Sequence, residues 1–217
     1  LGYPVIIKPA NLGSSIGISK ASDRTALEEK INLACSFAPR ILAEKAIVNL
    51  REINCSVLGD GNSCKASVCE EPVMSDEILS FSDKYESQSS SKGMASLSRI
   101  IPAKIPDEKT KEIQDISERL FKYLDCCGVV RIDFIIDEGD GGKVYINEIN
   151  TIPGSLAFYL WENKGVKYSQ LIDRMVDCAR KANEDRNMRN YAYSSDILKG
   201  VSLGGAKGAK GSKGSKF

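Results

Sequence analysis

Hydrophobic and polar positions alternate in blocks along the chain, and each block predicts an element. Val5-Ile6-Ile7 makes a strand over Tyr3 to Lys8, which Pro9 ends. A small Asn11-Leu12-Gly13-Ser14-Ser15-Ile16-Gly17 loop follows, with a return strand expected over Ile16 to Lys20. Ser22 or Asp23 can cap a helix to about Ala38, with Leu27, Ile31 and Ala34 on one face. Ile41 to Ala46 and Glu52 to Leu58 read as strands, and Asp60-Gly61-Asn62 as the hairpin turn into Cys64 to Glu70. An acidic-first helix is expected from Asp107 to Leu124, with Ile113, Ile116, Leu120 and Leu124 toward the core. Val129 to Ile136 and Lys143 to Asn150 are strands joined by residues 137–142, and a last helix covers Ser169 to Ala182.

Two stretches break this rhythm. Ser75 to Ser98 is Ser-rich and aperiodic, which predicts a long loop with a functional task. Gly205 to Lys216 repeats a Gly-Ala/Ser-Lys tripeptide, a flexible basic tail without apolar residues to form a core. The chain starts at Leu1 and meets a core-like strand almost at once, so it reads as a piece of a longer polypeptide.

Composition then narrows the chemistry. A net charge of +1 over 217 residues gives no global pull toward nucleic acid or membrane. The seven cysteines are odd in number and form no CxxC pair, which predicts reduced, buried thiols and a cytoplasmic protein. The absence of histidine removes Ser-His-Asp chemistry, imidazole bases and most zinc sites.

What chemistry remains gathers at strand ends. Glu148 and Asn150 are two apart and share a strand face, as do Arg131 and Asp133. If residues 137–142 join the strands symmetrically, Arg131 lies opposite Glu148 and Asp133 on the diagonal. Carboxylates and an amide oxygen so placed suit Mg²⁺; an Arg131–Glu148 salt bridge on a solvated face is the plain alternative. Lys8, ahead of the Gly-Ser loop, suits phosphate oxygens, although no Walker A loop is present. Glu44 and Glu52 flank the apolar Ala46-Ile47-Val48, a pattern fitting ribose and adenine as well as it fits two surface glutamates. Lys84 and Tyr85 stand out in the Ser-rich loop, either as residues of a closing lid or as loop anchors.

The ordered set Val5-Ile6-Ile7-Lys8-Pro9 with Gly13-Ser14-Ser15-Ile16-Gly17, Arg51-Glu52-Ile53-Asn54-Cys55, Asp83-Lys84-Tyr85, Arg131-Ile132-Asp133-Phe134 and Asn147 to Gly154 resembles D-alanine–D-alanine ligases of the ATP-grasp superfamily. The resemblance runs from residue 1 to about 182. It implies two α+β subdomains gripping ATP between them: residues 1–48 as part of the central one, 49–184 as the C-terminal one with a lid over 75–98, and 185–217 as an extension. The implied reaction joins two D-alanines through an acyl phosphate for peptidoglycan synthesis, with ATP and two Mg²⁺ ions (Mn²⁺ as a substitute). The alternatives are D-serine as second substrate and a non-catalytic ATP-binding fragment.

In the family pattern Lys8, Glu44, Lys45, Ile47, Glu52 and Lys84 contact ATP, and Asp133, Glu148 and Asn150 carry the metal ions. Arg131 stabilises the oxyanion, Ser14 and Tyr85 belong to the loops over the active site, and Gly154 and Ser155 hold the second substrate's carboxylate. The resemblance allows a homodimer and implies no nucleic-acid or membrane partner. It also implies an N-terminal domain supplying part of the first substrate site, without which this piece is expected to bind nucleotide poorly and not to catalyse. The segment Ser155-Leu156-Ala157-Phe158-Tyr159 departs from the pattern and leaves the second substrate open.

Overall fold

A computed structural model describes residues 1–13, 16–73 and 99–189. They form two antiparallel sheets with helices, the α+β arrangement expected. In the first sheet, β1 (Val5–Pro9) lies between β2 (Ser19–Ala21) and β3 (Ile41–Lys45). Helix α1 (Arg24–Phe37) starts at Asp23, whose Oδ1 accepts the Ala26 N–H at 2.9 Å, the cap the sequence offered. It covers one face of this sheet, where Ala34, with Leu27 and Ile31, meets Val5, Ile7 and Ala21. The return strand is shorter and later than expected, because residues 16–18 turn instead. Gly17 sits there at φ +73°, and a Cβ would come within 2.9 Å of Pro9 Cγ, so this turn needs glycine.

Residues 46–49 lead into the second sheet, ordered β6-β5-β4-β7-β8. Its strands are β4 (Leu50–Gly59), β5 (Cys64–Pro72), β6 (Arg99–Ile100), β7 (Gly128–Asp137) and β8 (Lys143–Asn150). The β4–β5 turn is tied by Asp60 Oδ1, which accepts the N–H groups of Asn62 and Ser63.

One face of this sheet is the main core. Ile53, Cys55, Val57, Ile132, Phe134 and Ile136 pack under α2 (Asp107–Tyr123) through Ile113 and Phe121. Burying side chains of this size contributes roughly 1.5–3 kcal/mol each. Ile116 and Leu120 pack at the margin as expected, but Leu124 does not: it ends the helix 48% exposed while Phe121 takes the core position.

The opposite face divides. At one end Leu58 and Val129 are covered by Trp161 of α3 (Phe158–Glu162) and Leu171 of α4 (Tyr168–Met188). Beyond that cover the face is polar. Helix α4 runs past the expected Ala182, to Met188. The thiols are all free, but only four are buried; Cys35 and Cys127 are exposed and Cys126 is intermediate, against the expectation of a buried set. Among the described residues no helix is long and apolar enough to cross a membrane.

Candidate active site

The site occupies the polar face of the second sheet, where the cover of α3 stops. Asn54, Ser56 and Leu58 alternate with Ile53, Cys55 and Val57 along β4, so one strand supplies both core and site. Across it runs a row of directly paired residues: Glu70 faces Asn54, Asn54 faces Asp133, and Asp133 faces Glu148. In the adjoining row Ser56 faces Arg131, and Arg131 faces Asn150.

This register corrects the expected one, in which Arg131 lay opposite Glu148. Two shifts separate them. Asp137 pairs with Lys143, so the connection is one residue shorter than the symmetric reading. Then Phe134 pairs with Ile146 while Asp133 pairs with Glu148, leaving Asn147 as the extra residue of a bulge. The bulge also explains why Val144 and Ile149, five apart, both pack against the core, since regular alternation would put them on opposite faces. Without it, Glu148 would leave the face that carries Asp133.

The side chains close into a network. Arg131 donates from Nε to Asp133 Oδ1 and from Nη2 to Oδ2, both at 2.7 Å, the bidentate geometry that guanidinium and carboxylate favour. Asn150 Nδ2 donates to Asp133 Oδ2 at 3.0 Å and reaches Glu148 Oε1 at 3.4 Å. Burial works against the Arg131 charge, but the paired bonds to Asp133 outweigh it and hold the guanidinium firmly protonated. Burial pushes the Asp133 carboxyl up; Arg131 pulls it back in part, and the charges of Glu148 and Glu70 push it further. The carboxylates of this face repel one another through a poorly solvated patch, which favours the arrival of another cation.

The donor set fits Mg²⁺. Asp133 and Glu148 offer hard carboxylate oxygens, and half a turn of the Asn150 amide would present its oxygen in place of the nitrogen. Among the described residues no group of three or more His, Cys, Asp or Glu could hold a metal ion. An ion here would therefore complete its shell with phosphate oxygens and water, as Mg²⁺ does beside nucleotides.

The remaining expected residues fall in three places. Lys8 and Glu44 lie on the face of the first sheet turned away from α1, with Lys8 Nζ 2.8 Å from Glu44 Oε1. Glu44, expected beside adenine, is thus an ion-pair partner of the phosphate-binding candidate. Lys45 is exposed at the end of β3, and Ile47 is half-buried between the sheets. Glu52 borders a hollow of about 300 Å³ with Leu50, Pro72, Val73 and Ile100. Ser14, Lys84, Tyr85, the lid over 75–98 and the tail lie outside the described residues.

Gly154 and Ser155 are exposed just after β8. Ser155, Leu156 and Ala157 adopt φ of 53°, 54° and 50°, three successive left-handed residues with a Leu156 N–H to Pro153 carbonyl bond of 2.9 Å. Each such residue costs about 1–2 kcal/mol. The turn leads straight into α3, which delivers Tyr159 and Trp161 to the sheet. Trp161 Nε1 donates to Ser56 Oγ at 3.0 Å, and Ser56 Oγ donates to the Val130 carbonyl at 2.9 Å.

Sequence reasoning missed Glu70, Asn54, Ser56, Arg99 and Tyr159. Glu70 is buried; its Oε1 accepts from Asn54 Nδ2 at 3.0 Å and from the Tyr159 hydroxyl at 2.9 Å. The Arg99 guanidinium lies 4.4 Å over the Tyr159 ring, an attractive cation–π geometry. Polar Asn54 and Ser56 inside an otherwise apolar strand were the available signal. Nothing in the sequence tied Glu70 to Tyr159, 89 residues away.

Paired antiparallel sheets, with a carboxylate-rich face on the larger one, define an α+β protein of the ATP-grasp type. The family model described as "D-ala D-ala ligase C-terminus" matches residues 1–177. The chain belongs to this family. It is 42% identical to the D-alanine–D-alanine ligase of Thermosipho melanesiensis over 199 residues, covering 92% of this chain and 52% of that protein. With the ligase of Caldicellulosiruptor bescii it shares 44% over 194 residues, 88% of this chain and 50% of the relative. Among solved structures, the VanG D-Ala:D-Ser ligase from Enterococcus faecalis superposes with a TM-score of 0.67 at 29% identity, covering 82% of this chain and 50% of that one. The D-alanine–D-alanine ligase from Coxiella burnetii gives 0.69 at 26% identity, over 85% and 47%. The chain spans about half the length of the curated relatives it matches.

Proposed function

We propose that this chain supplies the ATP- and Mg²⁺-binding part of a ligase that joins two D-alanines in the cytoplasm through an acyl phosphate. Residues 1–48 are read as part of the central ATP-grasp subdomain, 49–184 as the C-terminal subdomain and 185–217 as an extension. The observation that carries the proposal is the joint placement of Arg131, Asp133, Glu148 and Asn150 on one polar sheet face.

Phosphoryl transfer to a carboxylate requires positioning and charge neutralisation more than covalent help from the protein, which a chain without histidine can provide. Asp133, Glu148 and Asn150 would hold Mg²⁺, which neutralises phosphate charge when bound. Lys8, oriented by Glu44, serves the phosphate oxygens, and the 45–47 segment with Glu52 serves the nucleoside. Arg131, locked by Asp133, keeps a positive charge where the tetrahedral oxyanion develops. Gly154 and Ser155 serve the carboxylate of the second amino acid, and Ser14, Lys84 and Tyr85 close over the site.

The test is ADP release by the full-length protein that carries this chain, offered D-alanine, D-serine, D-lactate and unrelated amino acids. Stimulation by D-alanine is expected. Turnover that ignored every D-amino acid would end the ligase assignment.

A further inference from the structure

Away from the polar row, at the end of the same sheet that α3 and α4 cover, two thiols distant along the chain meet. Cys127 precedes Gly128, the first residue of β7, and is exposed. Cys178 lies on α4 and is buried. Both are free, and neither has a task in the ligase reading.

Three observations place them side by side. Leu171, Met175 and Cys178 follow helical spacing and share one face of α4. Leu171 and Met175 pack with Leu58 and Val129, which sets Cys178 one turn further, near the Gly59–Gly128 pair where β4 meets the start of β7. Lys181, a turn beyond Cys178, brings its Nζ within 3.8 Å of Asp60 Oδ2, just past Gly59. Finally, the Gly128 N–H favours the thiolate of Cys127 and of Cys178 alike, and the charge of a Cys127 thiolate is felt at Cys178. Cys126 turns the other way, against the main core.

We propose that Cys127 and Cys178 form a thiol–disulfide exchange site, at which a small disulfide oxidises the pair to a reversible cross-link between α4 and the start of β7. Cys127, the exposed thiol, attacks one sulfur of the small disulfide as its thiolate. An S–S bond forms to Cys127, and the other half leaves and takes up a proton. Cys178 then loses its proton and attacks the Cys127 sulfur, expelling the second half as a thiol. Two protein thiols are oxidised, one disulfide is reduced to two thiols, and no further oxidant is consumed. Burial, then the charges of Asp60 and Asp125, push the Cys127 thiol up. Burial, Cys127 and Asp60 do the same at Cys178, where Lys181 opposes them. Thiolates are therefore scarce at neutral pH, so exchange is slow and quickens as pH rises. In a reducing compartment the link is transient. While it lasts it restrains the unfolded chain and raises native stability.

The test treats the full-length protein that carries this chain with glutathione disulfide, then blocks free thiols and digests without reduction. The tryptic peptides 123–131 and 175–180 should be found joined as the main species, and should separate with dithiothreitol. The joined species should persist in Cys126→Ser and vanish in Cys127→Ser, a change at an exposed position. In Cys178→Ala, Cys127 should instead accumulate bound to glutathione. Cross-linked protein should unfold at a higher urea midpoint than the reduced form and return to the lower one on reduction. Joined peptides that survive Cys127→Ser, a Cys126–Cys127 bond, or native protein that stays unmodified or stops at the glutathione adduct overturns the inference. So does a link that forms only in urea, or one that lowers the midpoint. If Cys178→Ala does not fold, the Cys127→Ser and urea readouts decide alone.

Discussion

The two faces of the five-stranded sheet are built from the same strands and have opposite tasks. Toward α2, Ile53, Cys55, Val57, Ile132 and Phe134 are almost wholly buried and make one apolar cluster. One residue along in each strand, Asn54, Ser56, Arg131 and Asp133 form a hydrogen-bonded polar surface. The first face contributes stability through area removed from water. The second carries carboxylates whose repulsion costs stability, and it is held by Arg131 and by the anchors from α3. A one-residue displacement separates residues that maintain the fold from the residues of the candidate site, so substitutions on the two faces should dissociate.

Phe134→Ala on the core face is expected to have the largest effect, a loss of about 3–5 kcal/mol of unfolding free energy. Its loss of activity should follow loss of folded protein; a fully stable variant would break the division between faces. Glu148→Gln on the other face should do the reverse. Mg²⁺-dependent ADP release by the full-length ligase should fall by about 100-fold, on the order of 2.7 kcal/mol in transition-state terms, with the urea midpoint unmoved. Unchanged activity in that variant would remove Glu148 from the proposed metal site. Trp161→Phe tests the boundary between the apolar and polar halves of that face: losing its bond to buried Ser56 should cost about 1 kcal/mol in denaturant unfolding, and a cost above that of Phe134→Ala would reverse the ranking.

The smallest expected effect is a pH dependence. Burial, and then the negative charge of Glu70, pushes the Tyr159 phenol up to about 12. The folded value lies above the unfolded one, so the contribution is complete below the ordinary tyrosine value near 10. It is lost as pH rises from there toward 12. Urea midpoints of the native chain and Tyr159→Phe should therefore converge over that interval, and parallel curves would deny the coupling.

Much of this was legible in the chain. Period-two alternation announced β4 and β7, the 3.6-residue period announced α1 and α2, and the Asp23 cap and the Asp60 turn fell where side-chain chemistry predicts them. That Arg131 shares a strand face with Asp133, and Glu148 with Asn150, also followed from strand-face parity. Their pairing did not follow. It depended on where the β7–β8 turn closed and on the bulge at Asn147, both decided by the need to bury Val144 and Ile149 against the same core. Leu124 was misjudged for a similar reason: the helix periodicity allowed it, but Phe121 already filled the space.

The amino-acid sequence by itself determined the elements, the alternation of apolar and polar positions along the strands, and a set of candidate oxygen ligands in a chain without histidine. These depend on neighbours a few residues away. Only the tertiary structure decided that Lys8 pairs with Glu44, that Asp133 faces Glu148, and that three left-handed residues bring Tyr159 onto Glu70. Those contacts join residues distant along the chain, and packing chooses among registers that local pattern leaves equivalent.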